Sequence, residues 1–105
     1  MKNHLKDMYD YLVENQCDDV CVYDLSKEEQ NCDFIYVATA KDVAHNKALA
    51  LDVMKNFDME KYPEGYHKGE WIIFDLGQCV VHLFVGVARE KYNLDKLWKS
   101  KKVAL

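Results

Sequence analysis

Proline and glycine are scarce, with one proline and four glycines in 105 residues. That scarcity excludes collagen-like and low-complexity architectures and leaves no linker at which a second domain would begin. No apolar run approaches the ~18 residues that a membrane span needs. The opening stretch MKNHLKDMYDYL is charged throughout, unlike a secretory leader. Phosphate-cradling loops of the GxxxxGK(S/T) and GxGxxG kinds are missing. So is CxxC: Cys17 and Cys21 stand as CxxxC, and neither His45 nor His67 completes a zinc-finger spacing with them. These absences lead us to expect a cytoplasmic protein with reduced thiols, no membrane partner and no metal or cofactor.

What is present suits one small core. Hydrophobic residues make up 50% of the chain, and its length fits a single domain. The formal charge is −4. Residues 1–98 hold 11 basic against 18 acidic side chains, a net of −7, and Lys99, Lys101 and Lys102 follow in a short basic tail, 99–105. An acidic body repels phosphate backbones, so direct nucleic-acid recognition needs a local basic patch that the sequence does not display. A basic protein surface suits it better. The tail reads as a frayed, solvated end.

Periodicity places the elements. Leu5, Met8, Tyr9, Leu12 and Val13 recur at helical spacing over about 3–16. DVCVYDL (19–25) and DFIYVAT (33–39) alternate as strands around the polar loop SKEEQNC. Asp42 is placed to cap a helix over 43–57 that carries Leu49, Ala50, Val53, Met54 and Phe57 on one stripe. A short edge strand is expected near 60–63, where Pro63 is tolerable. Trp71–Asp75 and Cys79–Val85 read as an antiparallel hairpin, and VAREKYNLDKLWKS as a closing helix with Lys91 and Asp95 spaced to pair. The expected order is α-β-β-α-β-β-β-α: one mixed sheet of about five strands covered by helices, on the border between α/β and α+β.

Catalytic readings find little support. Asp24, Asp33 and Asp75 fall at strand ends, where carboxylates hold Mg²⁺ in phosphoryl-transfer enzymes, but no DxD pair occurs and aspartate commonly closes turns. A metal-dependent enzyme is therefore the alternative reading. Cys21 and Cys79 sit in apolar strand patterns, as packed small hydrophobes do. His82 shares a strand face with Val80 and Phe84, which favours a hydrogen-bonded structural or interface residue over a catalyst. Trp71, Tyr92 and Trp98 exceed what so small a core readily buries, and surplus aromatic residues near one edge suit protein binding.

EWIIFDLGQCVVHLF followed by AREKYNLDKLW resembles the ribosomal silencing factor family, also called the Iojap or RsfS family. The carrying residues are Glu64-Gly65, Trp71, Asp75-Leu76-Gly77, Val81-His82, Arg89, Tyr92, Leu94, Asp95, Leu97 and Trp98. The resemblance extends over 1–98. It implies a nucleotidyltransferase-like fold without that class's catalytic motifs, and a non-enzymatic role. It also implies binding to ribosomal protein fourteen of the large subunit, blocking subunit joining when nutrients are scarce. Carried over by position, it assigns partner binding to Trp71, Leu76, Arg89, Tyr92, Leu97 and Trp98. Trp71, Leu76 and Tyr92 would be apolar anchors, and Arg89 would pair with a carboxylate or carbonyl. The aromatic edge leaves a homodimer open as another use. Two departures stand out. Thr39-Ala40-Lys41-Asp42-Val43-Ala44-His45 lacks the glycine and arginine of the family's Thr-Gly-x-Ser-x-Arg-His turn, and Gln78 replaces the aspartate of Asp-Leu-Gly-Asp.

Overall fold

Alternating runs become strands and the three-four stripes become helices in the computed structural model, which describes residues 2–27, 33–57, 59–77 and 79–104 (backbone alone for 2–5). The strands are β1 (Asp18–Asp24), β2 (Phe34–Ala40), β3 (Trp71–Asp75), β4 (Cys79–Val85) and β5 (Lys102–Val103). The helices are α1 (Lys2–Glu14), α2 (Val43–Asn56), α3 (Gly86–Tyr92) and α4 (Leu94–Leu97), with a 3-10 turn at Lys99–Lys101. One mixed sheet results, in the order β3-β4-β2-β1-β5. β2 and β4 run parallel at its centre, and the other pairs are antiparallel.

Local chemistry fixes the element ends. Asp42 caps α2, its carboxylate accepting from the His45 amide at 2.7 Å. α1 ends where Gln16 turns left-handed (φ 71°) and the Gln16 and Cys17 amides reach back to the Val13 and Leu12 carbonyls, a Schellman closure. Gly65 (φ 82°) is obligatory, since a Cβ there would lie 2.0 Å from the Trp71 carbonyl oxygen.

The two faces of the sheet are covered unequally. On one, α1 and α2 close over a core that includes Leu12, Val22, Tyr36, Val53, Ile72, Phe74, Val81 and Leu83. On the other, the short α3 and α4 lie over Tyr23, Ile35, Val37 and Phe84. Asn46 is fully buried within α2 and ties it to the sheet side, its amide donating to the Gly69 and Leu83 carbonyls at 2.9 and 3.0 Å.

Several expectations need correction. Residues 60–63 form no strand. Pro63 lacks a ladder donor, and only Glu64 makes an isolated bridge, to Ile73. The fifth strand is instead β5, so the basic tail does not fray: Val103 and Lys102 pair with Val22 and Tyr23. The closing helix is not continuous, because Asn93 adopts the left-handed region (φ 46°) and breaks it into α3 and α4. Val13 and Phe57 face solvent rather than the core. Cys17 and Cys21 carry free thiols. Cys32, Gln78 and most of the expected 26–32 loop lie outside the described residues.

Candidate partner-binding surface

The thinly covered face presents a connected row of rings. Trp71 on β3 stands opposite Phe84 on β4, and strand pairing brings the two into stacked contact with centroids 5.0 Å apart. Tyr92, at the end of α3, leans on the outer side of Trp71 at 4.5 Å. His82 lies 5.8 Å from Trp71 and 6.1 Å from Trp98, and Trp98 in turn rests on Tyr23 at 6.0 Å. Trp71 and Trp98 are half-buried, and Tyr92 is 48% exposed. Tyr92 is therefore a ring held in place by Trp71 yet open to a partner, with the Lys91 ammonium 5.5 Å over its face.

His82 organises this row from beneath. It is only 8% exposed, and its Nδ1 accepts the Trp71 indole N–H at 3.0 Å. Acceptance requires an unprotonated Nδ1, hence the neutral ring. Burial drives its pKa down to about 4, so the ring stays neutral at physiological pH. The expectation of a structural, hydrogen-bonded histidine is met, and the residue it orients is Trp71.

Arg89 occupies a different position from the one expected. Its side chain is 11% exposed and points inward. Nε and Nη2 grip Asp95 bidentately at 3.0 and 2.9 Å, Nη1 donates to the Asp19 carbonyl at 2.6 Å and to the Thr39 hydroxyl at 2.9 Å, and Nη2 also reaches the Cys21 sulfur at 3.4 Å. Burial opposes charge on both partners. The hydrogen bonds and mutual attraction outweigh it, raising the Arg89 pKa and lowering that of Asp95. Asp95 also accepts the Tyr23 hydroxyl at 2.5 Å. Lys91 does not take the expected i,i+4 place, because the break at Asn93 swings Asp95 toward Arg89.

The remaining expected residues separate. Trp71, Tyr92 and Trp98 share the row. Leu97, 69% exposed, sits on α4. Leu76 packs against the opposite core, at the hairpin end of β3, and lies five residues or roughly 16 Å along the strand from Trp71. Strand alternation already puts His82 and Phe84 on one face, but their partner Trp71 follows from strand register, and Asp95's place beside Tyr23 and Arg89 from the helix break.

Of the three aspartates of the alternative reading, Asp24 and Asp75 serve turns through their side chains, and Asp33 accepts the Leu25 amide through its backbone carbonyl at 2.8 Å. Asp24 accepts from the Ser26 amide and hydroxyl at 2.9 and 2.6 Å, which lower its pKa, and Asp75 accepts from the Gly77 amide at 3.0 Å. With β4 and β2 between β3 and β1, Asp75 and Asp24 stand roughly 14 Å apart. Among the described residues no group of three or more possible metal ligands forms. Nor is any described helix long and apolar enough to cross a membrane.

Fold and surface together define a small α+β protein with an ordered aromatic row that surfaces at Trp71, Trp98 and above all Tyr92. A sequence profile described as "Ribosomal silencing factor during starvation" matches residues 1–104, and the chain belongs to that family. Ribosomal silencing factor RsfS of Treponema pallidum is 32% identical over 97 residues, covering 89% of this chain and 87% of that protein. A mouse relative named mitochondrial assembly of ribosomal large subunit protein 1 is 28% identical over 76% of this chain and 38% of its own. A solved protein structure from Chromobacterium violaceum superposes with a TM-score of 0.81 at 28% identity, covering all of this chain and 91% of that one. One from Bacillus halodurans gives 0.78 at 27% over the whole of both. The family's name ties it to silencing of the ribosome.

Proposed function

We propose that this protein represses translation without catalysis, by binding ribosomal protein fourteen on the large ribosomal subunit and keeping the small subunit from joining. Family membership over 1–104 carries the reading. The mouse relative's name, which refers to the large subunit, supports that choice of subunit. The half-exposed Trp71–Tyr92 pair supplies the kind of rigid, amphipathic anchor that dominates protein interfaces. The net charge of −4 suits a basic ribosomal protein. Trp71 and Tyr92 form the centre of the contact, with Trp98 and Leu97 beside them. Leu76, packed on the α1/α2 side at the far end of β3, falls outside that contact. Arg89 acts from within by fixing α3 and α4. The protein works in the cytoplasm, with its aromatic edge turned to the ribosome.

Sedimentation of purified protein with separated subunits tests this reading. It predicts co-migration with the large subunit alone and a loss of joined ribosomes as protein is added. Unchanged joining at saturating protein would overturn it.

A further inference from the structure

Lysines that look scattered over 96–102 converge in three dimensions. α4, the 3-10 turn and β5 fold back against β1, leaving a cleft of about 460 Å³. Cys21 and Tyr23 line its β1 side, and Lys96, Lys99 and Lys102 also border it. All three lysines are exposed. Among the described residues none of them has a carboxylate within ion-pair distance, the pairs found there being Lys68–Glu70 and Arg89–Asp95. Asp95 is the one acidic residue lining the cleft among the described residues. Both of its oxygens are taken by Arg89 and one by Tyr23, so its charge is already matched. The cleft keeps the positive charge of three lysines in a chain whose overall balance is −4. Two of these lysines belong to the basic tail, and the fold joins them to Lys96 in one patch.

We infer that the Lys96–Lys99–Lys102 cleft binds phosphates of an RNA backbone without reading its sequence. Ammonium groups act on phosphate as point charges and carry no base information. The buried ring of Tyr23, its hydroxyl engaged by Asp95, offers no platform on which a base could stack. The acidic remainder repels RNA elsewhere, so the cleft confers orientation as well as attraction. It adjoins the aromatic row, since Trp98, between Lys96 and Lys99 in sequence, packs on Tyr23. The choice of RNA rests on the ribosomal reading, because a ribosomal protein is docked amid RNA. Free nucleotides carry the same phosphate chemistry, and the test separates the two sources.

The test titrates the full chain with fluorescein-labelled oligouridine, following anisotropy and amide NMR shifts, with pyrophosphate and adenosine triphosphate as unlabelled competitors. Wild type should bind at about 50 mM salt and lose affinity steeply as salt rises. The K96Q/K99Q/K102Q variant should bind about tenfold or more weakly, with a log–log salt slope shallower by about 2, as expected for three phosphate contacts on a single strand. K41Q/K55Q/K61Q removes the same charge from exposed sites elsewhere and should change affinity less than about twofold. Shifts should centre on Tyr23, Asn93, Lys96 and Lys99. Equal weakening by the two triple variants, no binding by wild type, or shifts centred elsewhere would each overturn the inference. Displacement by adenosine triphosphate or pyrophosphate at concentrations matching oligouridine phosphate would assign the cleft to a small phosphate ligand instead of RNA. Intact circular dichroism is expected, because all substituted lysines are exposed. Oligouridine binding with no co-sedimentation would sink the ribosomal reading alone, and co-sedimentation with no cleft binding would sink this inference alone.

Discussion

The two faces of one sheet are built from the same strands and serve different ends. On the α1/α2 side, alternate residues such as Ile72, Phe74, Val81 and Leu83 are 0–1% exposed under two full-length helices. On the α3/α4 side, the intervening residues Trp71, Ile73 and Val80 remain partly open, because the covering helices span only seven and four residues. The first face provides stability. The second leaves aromatic area that is ordered by the sheet yet reachable, the combination that the proposed binding role requires. Incomplete cover is thus the structural basis for the proposed function.

The sharpest way to break this contrast is to truncate on each side and read stability against ribosome binding. Leu83→Ala on the closed face should cost about 3–5 kcal/mol of the 5–15 kcal/mol that a domain this size typically has, measured by urea unfolding. Ribosome binding at low temperature should then fall only with the folded fraction. A cost below about 1 kcal/mol would show that the closed face does not hold the fold.

His82 comes next, as a buried group between the faces' two roles. Its folded pKa of about 4 lies below the ordinary value of 6.5, so the unfolded chain binds the proton more readily. The penalty is absent above pH 6.5 and grows as pH falls toward 4, reaching about 3 kcal/mol. Unfolding midpoints at pH 7.5, 6 and 5 should decline accordingly. His82→Gln, whose carbonyl can still accept the Trp71 indole, should flatten that decline. An equal slope in both proteins would remove His82 as its cause.

Arg89→Ala should cost about 2–3 kcal/mol, since it strands Asp95 and leaves the Thr39 hydroxyl and Asp19 carbonyl without their shared donor. Arg89→Lys should recover little of it, because one ammonium cannot reproduce a five-donor fork. If Arg89→Ala keeps full stability and loses ribosome binding, the arginine faces the partner after all. The smallest effect on stability is expected for Tyr92→Ala, about 1 kcal/mol, as half its ring is in solvent and the rest packs on Trp71.

Much of this was legible in the sequence, for identifiable reasons. The β3–β4 hairpin shows because two apolar runs flank a short turn containing Gly77, which takes φ 87°. The α2 cap shows because aspartate precedes a clear stripe. Trp71 and Tyr92 stand out as aromatic residues that the core has no room for. What stayed hidden depends on tertiary geometry. Asn93 is an ordinary helix residue until it turns left-handed, and only then does Asp95 reach Arg89 rather than Lys91. β5 is two residues long, too short for any periodicity, and is ordered by its pairing with Val22 and Tyr23. The lysine cleft exists only once that strand has brought Lys102 alongside α4. Leu76 lies beside Trp71 in a linear reading, yet the strand carries it to the other end and the opposite core.

The measurement that bears most directly on the account is the affinity of Tyr92→Ala for isolated large subunits, taken together with its unfolding free energy. The account predicts binding weakened by about 1–3 kcal/mol, as for a hot-spot truncation, in a protein that stays folded at a cost of about 1 kcal/mol. Parent-like affinity in a fully folded Tyr92→Ala protein would contradict it, and would place the ribosome-binding surface somewhere other than the open face of the sheet.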